Sequence, residues 1–134
     1  MSLEAEIERA AQLRAGLRRF LRQTEEVTSR GGLSPQRYDL LLFVQAAPGH
    51  RTTTAELTRV LQLKQPAVTE LVKQTAQAGL VRRTPDEIDR RRVWIELTPA
   101  GRKRLLACLH ALGDARSALT ASITEGKTAY RPSS

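Results

Sequence analysis

A chain of 134 residues is the length of one ordinary domain, enough to bury a core without disulfides or metals. A hydrophobic share of 40% and a charged share of 27% exclude a disordered chain, and no apolar run approaches bilayer length, so no membrane span is expected. The 22 Lys and Arg against 14 Asp and Glu leave a net charge of +8, which favours a polyanionic partner, nucleic acid or an anionic membrane surface, without choosing between them.

Residues 3–28 read as a helix, with Leu3, Ile7, Leu13, Leu17, Phe20, Leu21 and Val27 recurring at helical spacing. Arg30-Gly31-Gly32 ends it, and Ser34-Pro35, a cap followed by a first-turn proline, opens a second helix through Tyr38, Leu41, Leu42 and Val44. Thr52-Thr53-Thr54 offers caps for a third helix that buries Leu57, Val60 and Leu61. Gln62-Leu63-Lys64 is a short connection, and Pro66 marks the first turn of a fourth helix that stops at Gly79.

The period then changes. Leu80 to Arg83 is short and extended, and Val93, Ile95 and Leu97 alternate with Trp94 and Glu96, which predicts a strand with one buried face. The charged stretch from Thr84 to Arg92 becomes the long tip of a two-stranded hairpin. Thr98-Pro99 repeats the cap-plus-proline signal and starts one final helix with Leu105, Leu106, Leu109, Leu112, Leu119 and Ile123 as its apolar stripe. Residues 126–134 are polar and expected to be a flexible tail. The fold class that follows is mainly α with a small β-hairpin wing: a winged helix-turn-helix over 34–98, flanked by dimerisation helices at 3–30 and 99–125, in a single domain over 1–134.

A helix that enters the DNA major groove needs one apolar face for support and one polar face for base edges. In the fourth helix Val68, Leu71, Val72 and Thr75 share one side, while Pro66, Thr69, Glu70, Lys73, Gln74 and Gln77 lie opposite, led by Lys64 and Gln65. Gln and Thr bond to bases, and Lys reaches base or phosphate. The hairpin adds Arg82, Arg83, Arg90, Arg91 and Arg92, set against Asp86, Glu87 and Asp89. Arginines at such a tip suit a minor groove or phosphates, with Asp89 pairing to a neighbouring arginine to brace the turn.

These residues carry a resemblance. The run Asp89-Arg90-Arg91-Arg92-Val93-Trp94-Ile95-Glu96-Leu97-Thr98, followed by Pro99-Ala100-Gly101-Arg102, resembles the wing and following helix of MarR-family winged-helix transcription regulators. Gln65 to Val72 looks like that family's recognition helix, and Ala78-Gly79-Leu80-Val81 like its junction into the wing. The resemblance covers nearly the whole chain. It implies a homodimer built from interleaved terminal helices, pseudo-palindromic operators, usually repression, and in many members release of DNA by small aromatic or phenolic compounds. It also implies that Asp89 and Arg91 form the wing pair. The chain departs from the pattern at Glu70, where a basic residue is common. An acidic side chain there is repelled by phosphate but accepts a bond from cytosine, and Lys64, Gln65 and Lys73 offset it.

Paired operator half-sites match paired recognition helices, which makes the terminal helices a dimer surface, with Leu3, Ile7, Leu13, Leu17, Leu105, Leu106, Leu109 and Leu112 as contacts. The bland alternative packs those helices on each other within one monomer. The single cysteine, Cys108, reads as a buried structural thiol, and His50 and His110 as structural. Tyr38 and Phe20 are placed at a ligand cavity or in plain core. No metal spacing, phosphate loop or catalytic set is visible, so neither an enzyme nor a cofactor is expected. The acidic, amphipathic start lacks a signal-peptide core, and one cysteine forms no internal disulfide, so a cytoplasmic location is expected. The leading function is a sequence-specific duplex-DNA regulator; the alternatives are a non-specific architectural DNA binder and a winged-helix protein adaptor.

Overall fold

The computed structural model describes residues 2–124, so the expected tail at 126–134 lies outside the described residues. The chain runs α1 (Leu3–Arg30), α2 (Pro35–Ala46), a 3-10 turn (Pro48–His50), β1 (Arg51–Thr52), α3 (Thr54–Leu61), α4 (Gln65–Gln77), β2 (Val81–Pro85), β3 (Val93–Leu97), α5 (Pro99–Ala111) and α6 (Gly113–Thr124). Mostly helical, with a small antiparallel sheet, it has the expected winged-helix form.

The caps fall where the sequence places them. Ser34 Oγ accepts from Arg37 N, Thr53 Oγ1 from Glu56 N, and Thr98 Oγ1 from Gly101 N. Each satisfies a first-turn N–H that has no partner inside the helix. The α4 stop at Gly79 also holds: its φ is +79°, the left-handed region, and the next amide, Leu80 N, bonds back to Thr75 O.

Three features differ from the sequence reading. The sheet has three strands in the order β1-β3-β2, because Arg51 and Thr52 pair with Glu96 and Ile95. Two residues carry no periodicity, so β1 left no pattern to read. The final helix is broken at Leu112 into α5 and α6. The buried face of β3 also stops short: Ile95 is buried, but Val93 is 41% exposed because the hairpin has by then run past the core.

The core gathers α2 (Leu40, Leu41, Val44), α3 (Leu57), α4 (Val68, Val72), the sheet (Val81, Ile95) and α5 (Leu105, Cys108), with Leu80 and Leu112. Leu105 and Leu112, expected as partner contacts, are each 1% exposed and belong to this core. Their side of α5 is closed over α2 within the same chain, so they offer no surface to a second copy. Cys108 is buried beside Gly31, and burial pushes its thiol pKa up. Tyr38 is core, and burial raises its phenol pKa as well.

The α1 helix packs along α6. The monomer packing of the terminal helices therefore occurs, yet it leaves many of their apolar residues uncovered. Leu3, Ile7, Leu13, Leu17 and Leu21 of α1, Leu106 of α5 and Ile123 of α6 remain exposed. No helix among the described residues is long and apolar enough to cross a membrane.

Candidate nucleic-acid interface

The α4 helix is held by its inner side. Val68, Leu71, Val72 and Thr75 are buried, and Thr75 Oγ1 donates to Leu71 O at 2.7 Å, so even the hydroxyl on that face is satisfied. Lys64, Gln65, Pro66, Thr69, Glu70, Lys73, Gln74 and Gln77 are all exposed. The sequence reading thus divided the two faces as the structure does. Glu70 does not stand alone: Gln74 Nε2 donates to Glu70 Oε1 at 3.1 Å, one turn on. Lys64 starts α4 with no side-chain cap bond, unlike Ser2, Ser34, Thr53 and Thr98 at their helices. Its N-terminal dipole end is left without a side-chain acceptor of its own.

The α3 helix braces α4 across the connection. Its last residue passes to Gln62, whose φ of +55° turns the chain sharply and whose N–H bonds Thr58 O. Leu57 is fully buried between the two helices and α2. On the outer side of α3, Glu56 pairs with Arg59, which lowers the Glu56 carboxyl pKa by hydrogen bonding.

The wing is joined to this unit through β1, through the buried Val81 and Ile95, and at Thr98. Thr98 Oγ1 donates to Gly79 O at 2.6 Å and its N–H to Leu80 O at 3.0 Å, while the same hydroxyl caps α5. Gly101 lies so close that a Cβ built on it falls 1.9 Å from Leu80 O. The Thr98-Pro99-Ala100-Gly101 run thus has a local reason. It caps α5, fixes its first turn and lets α5 press onto the exit from α4.

At the far end the hairpin closes with Pro85 opposite Val93. Asp89 and Arg91 come together as expected, Arg91 Nε to Asp89 Oδ1 at 3.2 Å, and Arg91 N donates to the same oxygen at 3.1 Å. Arg90, Arg91 and Arg92 are exposed, as is Arg83. Arg82 is exposed too, but it is held across the strands by Glu96 at 3.1 Å, at the base of the hairpin rather than its tip.

Sequence reasoning missed the residues that give the tip its shape. Asp86 Oδ1 accepts from Ile88 N at 2.8 Å and Asp89 N at 3.1 Å, and its Oδ2 accepts from Trp94 Nε1 at 2.8 Å. The two backbone bonds, then the indole, hold its carboxyl pKa down at about 2. Over the Trp94 ring lie the guanidinium groups of Arg51, 4.0 Å from the centroid, and Arg92, 5.4 Å. The Pro85-Asp86 pair is a legible turn signal. That Asp86 meets an indole eight positions on follows only from strand register. Among the described residues no cluster of His, Cys, Asp and Glu is arranged to hold a metal ion.

Residues 31–92, which span α2 to the wing tip, match the model of the MarR family. Over 74 residues, 55% of this chain, the sequence is 32% identical to the HTH-type transcriptional repressor YetL of Bacillus subtilis (strain 168). That alignment spans 44% of the relative, under half its length. In fold, the chain is similar to AbsC, a MarR family transcriptional regulator from Streptomyces coelicolor, with a TM-score of 0.73 and 21% identity over 88% of this chain and 80% of that one. It is also similar to a mutant MarR from E. coli complexed with operator DNA, with a TM-score of 0.70 and 24% identity over 96% of this chain and 89% of that one. Residues 31–92 thus match the MarR family, and the chain shares the fold of MarR-family regulators over almost its whole length.

Proposed function

We propose that the protein is a transcriptional regulator that reads a specific duplex DNA sequence, acting as a homodimer on a pseudo-palindromic operator. The observation that carries this reading is α4. Its inner face is locked into the core, while Gln65, Thr69, Lys73 and Gln77 stand exposed as one row of base-compatible side chains. The wing supplies the second contact, with Arg83, Arg90, Arg91 and Arg92 directed to phosphates or a minor groove. The match of residues 31–92 to the MarR family and the repressor YetL among the similar proteins favour repression. Relief by a small aromatic ligand is the family's habit and rests on the resemblance alone.

The dimer is supported by the apolar residues that α1–α6 packing leaves uncovered. Leu3, Ile7, Leu13, Leu17, Leu106 and Ile123 are each at least 40% exposed, and a hollow of about 490 Å³ between α1 and α6 is lined by Leu13, Leu119 and Ile123 among others. A second copy would cover this surface, with Leu109, half-buried, at its margin. Replacing Leu106 by Glu is expected to give monomers in sedimentation; an intact dimer would place the interface elsewhere.

The function itself is tested by selecting bound sequences from a randomised duplex pool at near-physiological salt. A two-fold symmetric motif with half-sites about one helical turn apart is the expected result. Binding without an enriched motif would replace the reading with an architectural DNA binder, whose affinity falls steeply with salt. Absence of binding would favour a protein-interaction adaptor.

A further inference from the structure

The wing tip has almost no core. Between Pro85 and Val93 the chain makes one ladder-like bond beyond the strands, Asp86 N to Arg92 O at 2.9 Å, and one turn bond, Arg92 N to Asp89 O at 3.0 Å. Ile88 at the apex is 96% exposed, and the Arg91 side chain is 92% exposed. A loop of this kind ordinarily samples many conformations, and ordering it on DNA would weaken binding.

The Asp86 carboxylate opposes that. One oxygen ties two successive amides of the tip, and the other ties the tip to the indole of Trp94 on β3. The indole is itself fixed by the flanking guanidinium groups of Arg51 and Arg92. From this geometry we infer that Asp86 is a positioning residue for DNA binding: through Trp94 it anchors the tip to the strand, so that Arg91 and its neighbours meet the duplex already ordered. Asp89 orients Arg91 locally, and Asp86 orients the segment that carries Asp89. The inference rests on the wing's role in the proposed function.

Three side-chain changes separate these roles. Asp86→Ala removes every bond of the carboxylate. Asp86→Asn keeps a carbonyl oxygen for the two amides but cannot serve both them and the indole. Trp94→Phe removes the indole donor and keeps an aromatic ring. The probe is a fluorescently labelled duplex of about 30 base pairs carrying the sequence recovered from the randomised pool, or mixed sequence if none is enriched.

Asp86→Ala is expected to weaken binding roughly three- to tenfold, the scale of immobilising one or two side chains on association. Asp86→Asn should fall between it and the parent. Asp86→Ala should add little in a background with Arg90, Arg91 and Arg92 all replaced by Ala, and the melting temperature should stay put because the tip lies outside the core. The chain has a single tryptophan, so its indole N–H gives one NMR cross-peak, and Asp86→Ala should shift it.

If Asp86→Ala leaves affinity unchanged while replacing Arg90, Arg91 and Arg92 together by Ala weakens it, the positioning role is overturned and the wing stands. If the triple replacement is itself silent, the wing does not touch DNA and both readings fall. A full additional loss from Asp86→Ala in a background with Arg90, Arg91 and Arg92 all replaced by Ala would show that Asp86 acts independently of the tip arginines, against the inference.

Discussion

The outer face of α4 and the tip of the wing are two presenting surfaces held by opposite means. Behind the α4 side chains lie Val68, Leu71 and Val72, and behind those the core of the chain. Its polar face is therefore free to carry few internal bonds. The wing tip has no such backing, and its shape comes from carboxylates: Asp86 on the amides and the indole, Asp89 on Arg91. The acids in this basic hairpin are its scaffold. A charge tally that sets Asp86 and Asp89 against the arginines misses that these acids determine where the arginines point.

The contrast breaks most severely where the core itself is opened. Leu57→Ala should cost about 2–5 kcal/mol of stability, since Leu57 is wholly buried between α3, α4 and α2. Chemical denaturation would read this, and DNA binding should fall with the folded fraction. Gly101→Ala comes next, at about 1–3 kcal/mol, because the added methyl group meets the Leu80 carbonyl and the α4–wing junction must shift. Unlike Leu57→Ala, it should also disturb the wing of the molecules that stay folded, seen as a moved Trp94 indole resonance.

Smaller effects sharpen the comparison. Lys73→Ala and Gln77→Ala should leave the melting curve in place and cost about 1–3 kcal/mol of DNA affinity where they meet base edges, with altered sequence preference. Arg91→Ala should weaken binding to all sequences alike and lower the salt slope by about one, the mark of a lost phosphate contact. If both sets change sequence preference equally, the division between a reading helix and an anchoring tip is wrong.

The smallest effect is the response to acid. The folded pKa of Asp86 is about 2 against an ordinary 3.8, so its carboxylate favours the ordered tip above the ordinary value. That contribution is lost as pH falls through the folded pKa. Trp94 fluorescence should therefore change between about pH 4 and pH 2, and Asp86→Asn should abolish that step.

Much of this was legible from residue order. Ser34-Pro35, Thr53, Pro66, Gly79 and Thr98-Pro99 mark element boundaries because capping and backbone preference act within one turn of chain. The two faces of α4 follow from helical period, and the residues alone give Asp89 a neighbouring arginine as partner, which the resemblance narrows to Arg91. The resemblance read from residues 65–72, 78–81 and 89–102 pointed to the same family whose model matches residues 31–92.

What remained hidden depended on contacts distant in sequence. That Leu105 and Leu112 face inward while Leu106 faces out depends on where α2 lies against α5, since the apolar stripe of α5 is the same in both arrangements. Residues 51–52 became a strand only because β3 offered an open edge, and Trp94 became an anchor only when register brought Asp86 and Arg51 to it. Local sequence determined the helices, their caps and the face α4 would show, because those are settled within a few residues. Tertiary structure alone decided which leucines stay exposed and how the wing tip is held, because those depend on burial and pairing between segments that no local period encodes.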